Sequence, residues 1–436
     1  MRISVVGAGY VGLVTGVNLA ADGHAVTFVE RAEERLADLA AGRMPIEEPG
    51  LADAYAANVD RISVRPELGE LSSIDLVLIA VGTPIGEAGD PDLSQLRSAL
   101  DALRAWPELD VSVRSTLPPG TSARLPAMLD RTNGEHISTN PEFLRQGSAM
   151  SDYRHPTRIV IGTFPETGDA HRAKVEALFG GLDAPRLYVD VAAAELIKNV
   201  ANGFLALKLS FVNEVAALSE EYGVEVQSVL DGIALDPRIG STYMRPGLGF
   251  GGSCLPKELQ VLAAAGRRQG LPMHLARAVS QVNIEQQDRF VRRIQAELPR
   301  EGARVGLLGL SFKADTDDLR GSPALHVARR LLDAGVQVVA HDPAVHVDRA
   351  EAAAPGIFMV QDPLAAIDDA DAVIIGTEWP IYASIDWTAA RGRVRFPLIF
   401  DGRNLVDPGA AAAAGFLYRG IGRLSAEPAP AEAARR

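Results

Sequence analysis

Short apolar runs alternate along this chain with stretches in which apolar residues recur every three to four positions. The runs of strand length stand at Arg2 to Val6, Ala25 to Val29, Asp75 to Val81, Val111 to Arg114 and Ile159 to Ile161. Helical patterns separate them, and the alternation predicts a doubly wound parallel sheet, an α/β fold. From about Ala193 the texture changes. Leu196, Ile197, Val200, Phe204, Leu207, Phe211, Val215 and Leu218 keep helical spacing, which predicts one long helix of the kind that bridges domains or subunits. A second helical stretch runs from about Pro272 to Leu298 and stops at Pro299. Strands return at Val305 to Gly309, Val336 to Ala340, Ala372 to Ile375 and Leu398 to Phe400. The expected plan is therefore α/β, then helical, then α/β, with boundaries at 1–190, 191–299 and 300–422 and a flexible, low-complexity tail at 423–436. The two ends share a pattern, although no residue-level repeat connects them.

Composition narrows the classes. At about 150 residues per domain, 436 residues allow two to three domains. With 47% hydrophobic and 23% charged residues the chain reads as an ordinary soluble globular protein. A formal charge of -13 argues against a nucleic-acid partner, because phosphate backbones require a basic footprint. No apolar run approaches about 18 residues, so no membrane span is expected. The N-terminus opens directly into a strand, so no secretory leader is expected either. One cysteine excludes an internal disulfide framework and a Cys-rich zinc site, and it suits a reducing, cytoplasmic setting. The eight histidines form no ligand spacing, so no metal is indicated.

The first strand runs into Gly7-Ala8-Gly9-Tyr10-Val11-Gly12, a G-x-G-x-x-G that opens a helix. Gly7 allows the tight turn, Gly9 lets backbone amides approach a pyrophosphate, and Gly12 lets helix and strand pack closely. The second strand ends at Glu30, placed to accept hydrogen bonds from the ribose hydroxyls of NAD. A carboxylate there repels a 2′-phosphate, whereas Arg31 could hold one, which keeps NADP open. Val81-Gly82-Thr83-Pro84, Ser115-Thr116-Leu117-Pro118 and Thr139-Asn140-Pro141-Glu142 follow strand ends, where an open parallel sheet lines its ligand crevice.

Gly247-Leu248-Gly249-Phe250-Gly251-Gly252 places four glycines in six positions just before Cys254, with Lys257 nearby. Glycines at that density let backbone lie against a ligand, and a thiol in such a polar niche is a candidate nucleophile. Lys198 and Asn202 stand at i and i+4 of the long helical pattern, on one face, in apolar surroundings.

Taken together, Gly7–Gly12, Pro45-Ile46-Glu47-Glu48-Pro49-Gly50-Leu51, Val81–Pro84, Asn140-Pro141-Glu142-Phe143-Leu144-Arg145, Gly251-Gly252-Ser253-Cys254-Leu255-Pro256-Lys257 and Ser311–Arg320 resemble the UDP-glucose/GDP-mannose dehydrogenase family over nearly the whole chain. The resemblance implies two Rossmann-like domains joined by a central helical domain, a homodimer, and NAD-dependent oxidation of a nucleotide sugar at C6 from alcohol to carboxylate. It implies Cys254 as the nucleophile, Lys198 and Asn202 as the pair opposing charge on the C6 oxygen, Glu142 and Thr116 at the sugar and its water, and Glu258 as the hydrolytic base. Cofactor contacts would come from Gly7, Gly9, Tyr10, Val11, Gly12, Glu30, Arg31, Thr83 and Thr116. Substrate contacts would come from Glu142, Phe143, Leu144, Arg145, Lys198, Asn202, Arg245, Gly251, Lys313 and Arg403.

Two positions depart from the family's usual pattern: Gln146 replaces an acidic residue, and Glu258 replaces aspartate. Gly376-Thr377-Glu378-Trp379-Pro380 and Asp401-Gly402-Arg403-Asn404-Leu405 resemble the UDP-glucose branch, whereas Tyr243-Met244-Arg245-Pro246-Gly247 resembles the GDP-mannose branch. UDP-glucose is the preferred substrate and GDP-mannose or another nucleotide-hexose the alternative. A two-electron hydroxyacid dehydrogenase would share the plan but need no thiol. A nucleotide-sugar binding protein with impaired chemistry is the reading from another class.

Overall fold

The computed structural model describes residues 1–86, 90–298 and 302–428. The expected helix stop at Pro299 and the tail beyond 428 lie outside the described residues. The chain forms two compact units, Met1–Ala201 with Gln260–Pro272, and Asn202–Leu259 with Met273–Arg436.

The sheet of the first unit contains β1 (Arg2–Val6), β2 (Ala25–Val29), β3 (Ile62–Arg65), β4 (Leu76–Ile79), β5 (Val111–Val113), β6 (Ile137–Thr139), β7 (Ile159–Thr163) and β8 (Arg186–Asp190). Their order is β3-β2-β1-β4-β5-β6-β7-β8. All pairs are parallel except β6 with β7, a direction that side-chain periodicity does not encode. The central β4 is apolar throughout because both faces are covered. In β4, Leu76 and Leu78 enter the core on one face, with Ile3, Val5 and Phe28, while Val77 and Ile79 enter the other, with Leu96, Val111 and Ile137. The period of two is thus visible in the packing and hidden in the sequence.

In the second unit β9 (Arg304–Leu308), β10 (Gln337–His341), β11 (Phe358–Met359), β12 (Ala372–Ile375), β13 (Leu398–Asp401) and β14 (Leu417–Gly420) lie in the order β11-β10-β9-β12-β13-β14. All five pairings are parallel. That order repeats β3-β2-β1-β4-β5-β6, so the fold has the two doubly wound sheets that the sequence predicts. The repeat extends to the loops. Gly7 and Gly309, each just past a first strand, have φ of +97° and +95°. Gly7 donates its amide to Val29 at 2.9 Å and Gly309 to His341 at 2.8 Å. Glu30 then accepts from Ala8 N, and Asp342 from Leu310 N.

The long helical pattern is a single helix, Val191–Glu221, of 31 residues. Val191–Ala201 belong to the first unit and the remainder to the second. The helices Leu255–Arg268 and His274–Glu297 follow. Along the long helix Leu196, Val200, Phe204, Phe211 and Leu218 are each 44% to 59% exposed. Large apolar side chains repeated on one stripe of a helix mark a surface that wants cover.

Candidate active site

The glycine loop of the first unit has the geometry its sequence implies. A Cβ on Gly7 would sit 2.8 Å from the carbonyl oxygen of Ala80, and its positive φ already disfavours any other residue. A Cβ on Gly12 would sit 1.9 Å from the Gly7 carbonyl oxygen, so helix and loop touch backbone to backbone. Gly9 differs: nothing lies within 4 Å of its would-be Cβ. It precedes the helix Tyr10–Ala21, whose N-terminus carries no side-chain cap. Open space before uncapped amides is what an approaching pyrophosphate requires. Val11 packs partly buried against the core beside β1.

Glu30 is buried and holds this loop in place. Its carboxylate accepts from Ala8 N at 3.1 Å, Ala32 N at 2.9 Å and Arg35 Nη1 at 3.0 Å. Burial pushes its pKa up, but the amide of Ala32, the Arg35 guanidinium and the amide of Ala8 outweigh burial and leave it below the usual carboxylate value. Glu30 is therefore ionised at neutral pH. Arg31 donates to Ser98 Oγ at 2.5 Å.

The loops after β4 and β5 are stitched together. Thr83 Oγ1 donates to the Thr116 carbonyl at 2.7 Å, and Ser115 Oγ to that of Val81 at 2.7 Å. After β6, Glu142 Oε1 accepts from Lys198 Nζ at 3.1 Å and Oε2 from Leu144 N at 2.5 Å. The Phe143 ring lies 3.7 Å from the Arg158 guanidinium and 5.2 Å from Lys198 Nζ, centroid distances within cation–π range. Lys198, Glu142 and Phe143 are thus one cluster, drawn from the long helix and the loop after β6. Arg145 is exposed and gives its guanidinium to Asp152 at 3.0 and 2.5 Å. Asn202 follows Lys198 by one helical turn and is half-buried.

Two residues here received no role from the sequence: Arg114, at the end of a strand run, and Glu48, within a motif of the family resemblance. Arg114 is fully buried, donates to Thr15 Oγ1 at 2.9 Å and to Asn140 Oδ1, and burial lowers its pKa. Glu48 gathers backbone amides from the run after Arg145.

In the second unit the glycine-rich run is laced in place by amides from two helices. Gly247 N donates to Asn213 Oδ1 at 2.9 Å, Gln286 Nε2 to the Gly247 carbonyl at 2.9 Å, and Asn283 exchanges bonds with both ends of the Phe250 peptide unit at 2.8 and 3.0 Å. Gly251 presses on the backbone of Gly321, where a Cβ would meet the carbonyl at 2.3 Å. Gly252 N donates to the Arg320 carbonyl at 2.9 Å. This run delivers an exposed Cys254 to the N-terminus of the helix Leu255–Arg268. The Cys254 carbonyl accepts from Glu258 N at 2.9 Å, so Cys254 is the residue that caps the helix. Negative charge on sulfur is favoured at that end of a helix. Glu258 is one turn in and only 2% exposed, with Lys257 Nζ 4.0 Å from its Oε1.

The basic candidates of this unit divide. Arg403 donates to the Gly376 and Phe312 carbonyls, each at 2.9 Å, and forms an ion pair with Glu378 at 3.2 Å. Its backbone is held by the buried Asp401, which accepts from Arg403 N at 3.0 Å and whose pKa burial raises. Lys313 lies beside the same Phe312, its Nζ 5.8 Å from the ring centroid. Arg245 is exposed on the segment before Gly247. The loops carrying Lys313 and Arg403 follow β9 and β13, at the carboxyl ends of the sheet. Among the described residues no group of three or more His, Cys, Asp or Glu could hold a metal ion.

These two sets of loops have known counterparts. Residues 1–182 match the NAD binding domain of the UDP-glucose/GDP-mannose dehydrogenase family, residues 192–285 its central domain and residues 306–408 its UDP binding domain. The chain is 39% identical to a UDP-glucose 6-dehydrogenase of Pseudomonas aeruginosa, with 100% of each covered. It is 37% identical to one of Rhizobium meliloti, covering 97% of this chain and 100% of that one. A solved UDP-glucose dehydrogenase from Pyrobaculum islandicum superposes with a TM-score of 0.86 at 36% identity, covering 97% of both chains. With three domain matches in unbroken order, and relatives of this identity along the full length, the chain belongs to the UDP-glucose/GDP-mannose dehydrogenase family.

Proposed function

We propose that this chain oxidises the C6 hydroxyl of UDP-glucose to the carboxylate of UDP-glucuronate, consuming two NAD per sugar. The observation that carries the reading is Cys254, an exposed thiol at a helix N-terminus on a tightly tied glycine loop. A dehydrogenase that stops at an aldehyde or ketone needs no thiol. In the division of labour we infer, residues 1–190 serve the cofactor, 191–299 carry the thiol and the subunit contact, and 300–422 hold the nucleotide sugar.

NAD supplies the hydride acceptor in both oxidations. It would be held by Gly7 to Gly12, Glu30, Thr83 and Thr116; the open approach at Gly9 and the ionised Glu30 fit it. A first oxidation, in which C6 gives up a hydride and its hydroxyl a proton to water, would yield the C6 aldehyde; the Cys254 thiolate then adds through sulfur, forming a C–S bond as the C=O π bond becomes a tetrahedral alkoxide. Lys198 and Asn202 oppose that negative charge. Loss of the second hydride leaves a thioester on Cys254. Water, placed by Glu142 and Thr116, then breaks the C–S bond and regenerates the thiol while the uronate departs. Glu258 takes the proton of that water. Lys313 and Arg403 answer the diphosphate.

The test is to mix the protein with NAD and a panel of nucleotide sugars, UDP-glucose and GDP-mannose included. Two equivalents of reduced cofactor per sugar, with a product heavier by the difference between a primary alcohol and a carboxylic acid, are expected for UDP-glucose. One equivalent, with a stable aldehyde or ketone product, would overturn the four-electron mechanism. Uronate formed from GDP-mannose alone would move the substrate to the other branch.

Glu258→Gln should preserve the burst of reduced cofactor and lose steady turnover by about 10²- to 10⁴-fold, the usual range for a missing general base. Intact-protein mass should then show a sugar adduct on Cys254. Turnover equal to the parent would assign hydrolysis to another group. The exposed stripe from Leu196 to Leu218 is the surface we assign to a homodimer. Light scattering should give twice the chain mass, and a monomer mass at working concentration would remove that assignment. The lone thiol is consistent with work in a reducing, cytoplasmic compartment. No helix among the described residues is long and apolar enough to cross a membrane.

A further inference from the structure

Glu48 has no role in the chemistry above, yet it is 7% exposed and fully engaged. Its Oε2 accepts from the Tyr10 hydroxyl and from Gly147 N at 2.7 Å. Its Oε1 accepts from Ala149 N at 2.7 Å. Tyr10 is the first residue of the helix after Gly9. Burial, and then the Glu48 carboxylate, raise the pKa of its hydroxyl, which keeps it a donor. Gly147 has a φ of +78°, a left-handed turn that has to be held in position. The run from Glu142 to Ala149 is therefore fixed by Lys198 at its start, by Asp152 at Arg145 and by Glu48 at its end.

We propose that Glu48 is a positioning residue whose carboxylate locks the sugar-facing run 142–149 to the cofactor loop through Tyr10. The inference rests on the assignment of Glu142 to Arg145 to the sugar and of Gly7 to Gly12 to NAD. Because one side chain supports both loops, loosening it disturbs both ligands at once. Removing Tyr10's hydroxyl acts mainly on the cofactor side, since the amides of Gly147 and Ala149 keep their acceptor and the run loses only the 3.4 Å contact from that hydroxyl to the Arg145 carbonyl.

The variants Glu48→Gln, Tyr10→Phe and their combination in the full chain test this. Glutamine keeps the shape but offers a single acceptor oxygen in place of two. Glu48→Gln is expected to raise KM for UDP-glucose and for NAD about tenfold each, the scale of a lost hydrogen bond to a charged group, with kcat held within about twofold. Tyr10→Phe is expected to raise KM chiefly for NAD, and the double variant to match Glu48→Gln for NAD, because both changes act there through one contact. Hydrogen exchange in peptides covering 142–150 should accelerate in Glu48→Gln without any ligand.

Unchanged KM values with only a lower melting temperature would make Glu48 merely structural and overturn the proposal. Additive effects of the two substitutions on NAD would overturn the link through Tyr10. Should the parent fail to oxidise UDP-glucose, the substrate reading falls, and the exchange rates together with NADH titrations still decide the role of Glu48.

Discussion

Cys254→Ala is expected to bind NADH like the parent and to form no detectable uronate, a loss of at least about 10³-fold in the rate of carboxylate production. The side chain is exposed at the cap of a helix, so its removal opens no cavity and leaves the backbone bond from Glu258 N to the Cys254 carbonyl intact. What disappears is the sulfur that would hold the aldehyde in the tetrahedral state from which a second hydride leaves. Cys254→Ser separates the steps further. An alkoxide can still add, but the ester that follows hydrolyses less readily than a thioester, so a covalent sugar adduct should accumulate. Product analysis by mass spectrometry, with NADH titration as the control, reads both variants. Uronate from Cys254→Ala at the parental rate would place the reaction in the class that needs no thiol.

The second large effect is expected at Lys198. Lys198 and Glu142 are 4% and 7% exposed and 3.1 Å apart, a buried ion pair in which each charge depends on the other. Lys198→Met leaves the Glu142 carboxylate buried with only the Leu144 amide, and losing one member of such a pair costs about 3–5 kcal/mol of stability. Turnover should fall by about 10²- to 10³-fold, the range for removing one group that opposes an oxyanion. Structural and catalytic effects separate in the double variant Lys198→Met with Glu142→Gln. It carries no unpaired charge, so most of the stability should return in chemical denaturation while turnover stays low. Recovery of turnover with stability would make the pair structural only.

The sequence disclosed the strands that are mostly apolar and mostly buried: β1, β2 and β12 fall where the pattern put them. Edges were illegible. β3 reads Ile-Ser-Val-Arg and is only half covered, β11 is two residues long, and Arg186-Leu187-Tyr188-Val189-Asp190 of β8 lies mostly exposed. Within the candidate site the glycines were readable because Gly7, Gly9 and Gly12 keep a fixed spacing between a strand and a helix, and Gly247, Gly249, Gly251 and Gly252 crowd one short run. The work of Glu48, quoted only within a family motif, and of Asp342 was not, because each accepts amides that are remote in sequence, from Gly147 and Ala149 and from Leu310 and Ser311, and no spacing announces such a partnership. The kinship of the two sheets showed in the sequence only as a shared α/β pattern; its detail, the same strand order and a carboxylate under a glycine turn, did not.

The loop from Gly7 to Gly12 also limits how this protein's cofactor preference could be redesigned. Gly7 and Gly12 tolerate no larger residue, the first for its φ and both for backbone lying closer than a methyl group allows. The adjustable positions are left at the ribose end, Glu30 and Arg31. Glu30, however, also secures Ala8 N. Swapping it for a small neutral residue to admit a 2′-phosphate would release the glycine turn in the same stroke. An engineer seeking NADP specificity would have to introduce a replacement acceptor for that amide along with the new cation, so selectivity and loop architecture can be changed here only as a set.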